Sequence, residues 1–119
     1  MFGQKYPANP LSVIAQECHL SGQFVFSGDV LIAGHIHGNI RAQGNVIIEE
    51  TGCVDGDILC RELKIQGQLT GQAHCQKMNL SEKGIFEGHA FCENIKIHDG
   101  GQFLGYRHRE PLTSTASES

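Results

Sequence analysis

Five cysteines and seven histidines in a chain of 119 residues are the side chains with the most chemistry to offer. Thiolates and imidazoles hold zinc when four of them converge on one point, and two thiols close a disulfide when their Cβ atoms face each other. An imidazole placed beside a serine and a carboxylate would serve nucleophilic catalysis instead. The chain offers no Ser/His/Asp grouping, no phosphate-binding glycine loop and no His-x-x-x-His on a helix-forming stretch. Its odd cysteine count, with no obvious pairing, suits a reducing compartment. What the remaining residues can do depends on the framework that carries them.

That framework is a repeat. The frame Gly-x-(apolar)-x-Gly-x-(apolar) starts at Gly34 ("GHIHGNI"), Gly52 ("GCVDGDI"), Gly67 ("GQLTGQA"), Gly84 ("GIFEGHA") and Gly101 ("GQFLGYR"), and a weaker copy starts at Cys18 ("CHLSGQF"). The starts are separated by 16, 18, 15, 17 and 17 residues. An apolar pair follows each of the first five frames: Val30 with Ile32, Val46 with Ile48, Leu63 with Ile65, Met78 with Leu80, and Ile95 with Ile97. The connector from that pair to the next frame holds one residue (Ala33; Gln66) or three (49–51; 81–83; 98–100), and one more residue enters before Val30 and before Val46, in "SGD" and "QGN". The length changes fall at Gly, Asp, Asn or Ser clusters, which is turn chemistry.

Between the turns apolar residues alternate with polar ones, the period-two signature of short strands with one buried face. Aligning the frames gives five inward columns. The first runs Leu20, Ile36, Val54, Leu69, Phe86, Phe103, and the third runs Phe26, Ala42, Cys60, Cys75, Cys92. A coil of 15 to 18 residues is too small to bury its own face, so neighbouring coils must stack. The expected fold is all-β: a parallel β-solenoid of about six coils with three short strands each, a rod on the order of 25 to 30 Å long at the usual spacing between paired strands. Parallel crossovers favour the right hand.

The repeat assigns places to the reactive residues. Cys60, Cys75 and Cys92 stack in an inward column, where a thiol serves as a small buried hydrophobe, and parallel side chains suit neither a disulfide nor a tetrahedral site. Cys18 and Cys53 fall at outward or corner positions. His35, His37, His74, His89 and His98 fall on outward or turn positions and read as solvated side chains. The residues therefore predict no catalytic group, no cofactor and no metal.

From "LSVIAQECHLSGQFVFSGDVLIAGHIHGNI" through "GGQFLGY", about residues 11 to 106, the chain resembles the bactofilins, a family of bacterial polymer-forming cytoskeletal proteins. The resemblance rests on the frames taken together with coil length and single-domain size. It implies a right-handed, three-sided β-helix that polymerises end to end without nucleotide. It also implies a scaffold that positions cell-wall enzymes and sets cell shape, held at the membrane by a short N-terminal segment. A second reading is a β-helix enzyme, such as a hexapeptide-type acyltransferase with sites between subunits. Those enzymes keep a period of six, whereas the glycines here recur at a spacing of four within each frame, as in Gly34 to Gly38 and Gly52 to Gly56.

Composition fits a single domain with 39% hydrophobic and 18% charged residues. A net charge of −4 without a basic run argues against nucleic acid as a partner. No apolar stretch approaches twenty residues, and "MFGQKYPANP" lacks the apolar core of a signal peptide, so the expected location is cytoplasmic, with peripheral contact at the inner membrane. Residues 1–10 are expected to be a flexible segment, 11–106 the β-helix and 107–119 a disordered tail. Met1, Phe2, Lys5 and Tyr6 are the candidate membrane contact, an apolar tip with one positive charge and an amphipathic ring. An open solenoid leaves unpaired backbone groups at both ends, and nothing in the sequence after the last frame supplies an apolar cap. The expected contacts between copies are Leu20, Phe24 and Phe26 at one end and Phe103 with Leu104 at the other. Leu31 and Ile47, outward on neighbouring coils, form a small candidate patch for a client.

Overall fold

A computed structural model describes residues 11–108, which form ten strands and no helix. The strands build two parallel ladders that run side by side. The first joins β2 (His19–Phe26), β4 (His35–Ala42), β6 (Cys53–Leu59), the first part of β8 (Gln68–Leu80), the first part of β9 (Ile85–Ile97) and β10 (Gln102–His108). The second joins β1 (Leu11–Ile14), β3 (Asp29–Ile32), β5 (Asn45–Ile48), β7 (Glu62–Ile65) and the second parts of β8 and β9. Six rungs in each ladder make a parallel β-solenoid of six turns, the all-β architecture expected from the repeat.

Register follows the aligned frames residue by residue. Ile36 pairs with Val54, Val54 with Leu69, and Leu69 with Phe86, and all four are buried. The fully buried side chains of the described residues are all apolar or cysteine. Each large one contributes roughly 1.5–3 kcal/mol by leaving water, and only stacking makes that burial available, since the face each coil hides is covered by its own opposite arms and by the coils before and after it.

The three-residue connectors are turns of one kind. Backbone N–H groups of Cys18, Gly52, Gly84 and Gly101 donate to the carbonyls of Ala15, Glu49, Ser81 and His98, three residues earlier in each case. The extra residues before Val30 and Val46 stack on each other: the Gly44 N–H donates to the Gly28 carbonyl, and the Asn45 N–H donates to Asp29 Oδ1 at 2.8 Å. These two insertions are accommodated because they fall on adjacent coils, where the later one donates to the earlier.

One glycine per coil sits mid-strand with φ between 131° and 156°: Gly22, Gly38, Gly56, Gly71, Gly88 and Gly105. They pair with one another in register. A Cβ on any of the last five would collide with the carbonyl oxygen of the glycine one coil earlier, so both conformation and space demand glycine. The column divides the long strand into two arms, and the short strand of the second ladder supplies a third arm for each coil.

The end of the rod departs from the expected boundary at 106. β10 continues to His108, with Arg107 paired to Ala90 and His108 to Phe91. Backbone pairing on a free strand edge is indifferent to side-chain charge. The Arg107 side chain is accommodated because it donates to the Glu93 carbonyl oxygen at 3.2 Å.

Candidate polymer interface

The inward cysteines are buried and unbridged. Cys75 and Cys92 pair in register, and their sulfurs approach to 2.9 Å with one thiol donating to the other. The expectation that parallel side chains suit neither a disulfide nor a tetrahedral site did not include this contact between two thiols one rung apart. Burial, followed by the charge that Cys92 would carry, pushes the Cys60 thiol up to about 12. Cys75 is driven higher still, by its hydrogen bond to Cys92 and then by burial. Such thiols stay protonated and unreactive at neutral pH.

The histidines lie on the flank. His19 stacks on His35 with ring centroids 4.6 Å apart, and His37 Nδ1 stands 3.3 Å from an Asp55 carboxylate oxygen, both side chains largely exposed. Among the described residues no three His, Cys, Asp or Glu side chains converge as a metal site.

The ends of the rod are where geometry is unfinished. β1 and β2 are paired on one side only. Leu20, Phe24 and Phe26 continue the columns of Ile36, Ile40 and Ala42, but they are half-buried where those residues are buried. Ile14 joins them, packed against the core from β1. The structure therefore brings the three residues expected from sequence into one apolar end face and adds Ile14, which the sequence signalled only as the last apolar residue before the first turn.

At the opposite end β10 covers only the first part of β9. Phe103 lies over Phe86 with ring centroids 5.1 Å apart and closes the first column. The second part of β9 has no strand after it among the described residues, so Ile95 and Ile97, the last of the apolar pairs, end their columns uncovered, Ile97 being 48% exposed. Sequence reasoning missed both as end contacts, although their place as the last apolar pair was the available signal. Leu104 pairs with Glu87 and is exposed in an outward column, so it stands on the flank of the last coil beside the end face.

Leu31 and Ile47 are neighbours in register, and Val13, 57% exposed, extends their row toward the N-terminal end. Met1, Phe2, Lys5 and Tyr6 lie outside the described residues. No helix among the described residues is long and apolar enough to cross a membrane.

A family model described as "Bactofilin: Polymer-forming cytoskeletal" matches residues 12–108. No curated protein and no solved structure matches the chain. The matched span begins inside β1 and ends at the last residue of β10, so it takes in all six turns and both unfinished ends. On that match the chain belongs to the bactofilin family of polymer-forming cytoskeletal proteins.

Proposed function

We propose that this protein assembles end to end, without nucleotide, into filaments that serve as a non-enzymatic scaffold for cell-wall synthesis or cell shape. The observation that carries the reading is that each end pairs an open strand edge with uncovered apolar columns: Ile14, Leu20, Phe24 and Phe26 at one end, Ile95, Ile97 and Phe103 at the other. A second copy would satisfy the backbone groups and cover the columns in the same step. Met1, Phe2, Lys5 and Tyr6 would hold such a filament at the inner face of the membrane, where many weak tips act together. The row of Val13, Leu31 and Ile47 would dock a cell-wall enzyme or other client.

The test is electron microscopy of the purified chain in nucleotide-free buffer, beside Phe103→Arg. Filaments are expected from the parent chain. The arginine places a charge in a contact that assembly would dry, at a cost of several kcal/mol per junction, so filaments should vanish while far-ultraviolet circular dichroism keeps its β signal. Compact trimers from the parent chain would favour the acyltransferase-type reading. Normal filaments from a folded Phe103→Arg chain would exclude this end as a contact.

A further inference from the structure

The last two strands bring together two histidines that end-to-end assembly does not use. His89 on β9 and His108 at the end of β10 are diagonal neighbours on the flank, since His89 is in register with Tyr106 and Phe91 with His108. Nδ1 of His89 stands 3.1 Å from Nε2 of His108. Their ring centroids are 5.3 Å apart with planes inclined by 23°, so the rings meet edge to edge with these two nitrogens between them.

Neither ring is free to wander. His108 stacks on Phe91 at 4.4 Å and 11°, and Phe91 stacks in turn on His74 at 4.6 Å and 3°. His89 lies against Tyr106 at 5.2 Å and 23°. A ligand pair whose rotamers are fixed by packing, on strands fixed by a ladder, is preorganised.

We propose that His89 and His108 bind a late first-row divalent cation, with zinc as the reference ion, through Nδ1 of His89 and Nε2 of His108, water completing the coordination. Imidazole nitrogens bind zinc at about 2.0–2.1 Å. Two such nitrogens on one ion stand about 2.9 Å apart at a right angle and about 3.4 Å apart at the tetrahedral angle. The observed 3.1 Å lies between these limits, and a small rotation of the exposed His89 ring about its broad terminal torsion would aim its lone pair at an ion held on Nε2 of His108. In the metal-free protein one of the two nitrogens carries a proton and donates to the other. Loading requires that proton to move to the far nitrogen of its own ring, and because only a neutral imidazole can ligate, acid competes with the metal. The bound ion would tie β10, the last rung of the first ladder, to β9.

The test is equilibrium dialysis of the full chain against zinc chloride near neutral pH, with His89→Gln, His108→Gln and, as a control, His19→Gln. Either of the first two should weaken the zinc affinity at least by the roughly tenfold that loss of an outer-sphere partner alone costs, and the control should leave it unchanged. Modification of the unsubstituted chain by diethyl pyrocarbonate, mapped by peptide mass spectrometry, should show zinc shielding His89 and His108 together. That second readout needs no variant to fold. Absence of zinc binding, zinc binding indifferent to both substitutions, or shielding of other histidines in their place would overturn the proposal.

Discussion

Cys75 and Cys92 meet across one rung of the solenoid with their sulfurs 2.9 Å apart and neither residue exposed. Cys60 stands one rung earlier, 5% exposed. Thiols thus occupy three successive places in a column that begins with Phe26 and Ala42. A thiol fits because it is small, tolerates an apolar setting and can give its one weak hydrogen bond to a neighbour, as one of Cys75 and Cys92 does to the other.

The five thiols should divide into two classes in an Ellman titration. Cys18 and Cys53, half-buried, should react in the folded protein, with Cys53 the slower because burial and then the charge of Asp55 raise its pKa. Cys60, Cys75 and Cys92 should react only after denaturant is added. Five thiols reacting together without denaturant would show that the column is open to solvent.

Stability should fall in alkali in a way that one substitution partly removes. Cys60 titrates at about 12 in the folded chain against an ordinary value of 9.0. Between those values the unfolded chain gives up the proton and the folded chain keeps it. Its contribution is therefore whole below about pH 9 and is lost as pH rises toward 12. At pH 10 the expected loss through this group is about 1 kcal/mol, read as a shift in urea midpoint relative to pH 8. Cys60→Ala should flatten that part of the slope, and an unchanged slope would assign it to other groups.

Two glycines of one column should respond unequally to the same substitution. Gly71→Ala drives a methyl group into the Gly56 carbonyl and should cost about 3 kcal/mol or more, visible as a collapse of the thermal midpoint. Gly22→Ala meets no atom within 4 Å and pays only the strain of φ 131°, about 1–2 kcal/mol. The Gly22 variant should fold yet assemble poorly, because in a filament continued from that end the neighbour occupies the same space. Equal melting of both variants would show that the column is not sterically closed.

Phe86→Ala should be the most damaging of the core truncations. Phe86 is fully buried between Leu69 and Phe103, and the cavity left behind cannot close between two fixed rungs. A loss of about 3–5 kcal/mol is expected in urea denaturation. A loss near 1 kcal/mol would mean that the coils can shift to fill the gap.

The fold was legible because stacking turns a one-dimensional period into contact. Once Ile36, Val54, Leu69 and Phe86 are aligned, register, burial and topology follow together, and the inserted residues mark the turns. The end faces were only partly legible. Leu20, Phe24, Phe26 and Phe103 stand at the termini of columns and could be read off the alignment. Ile14, Ile95 and Ile97 required knowing that β10 covers only half of β9 and that β1 starts the second ladder. Side-chain meetings between rungs, such as the two thiols or His89 with His108, depend on rotamers that period and spacing do not encode. The length of β10 was missed because Arg107 breaks the apolar pattern while leaving the backbone free to pair.

The glycine column also limits how such a rod could change its length over generations. Within each ladder a rung touches only the rungs beside it, and each glycine after the first excludes a side chain because the carbonyl one turn away fills its space. A duplicated stretch from one frame to the next would therefore present the same contacts to both neighbours as the original did. A duplication of any other size that a turn does not absorb would bring a side chain into the column and break the stack. Rods of this design can thus be lengthened by gene duplication in whole turns, and the protein's dimensions change in discrete steps.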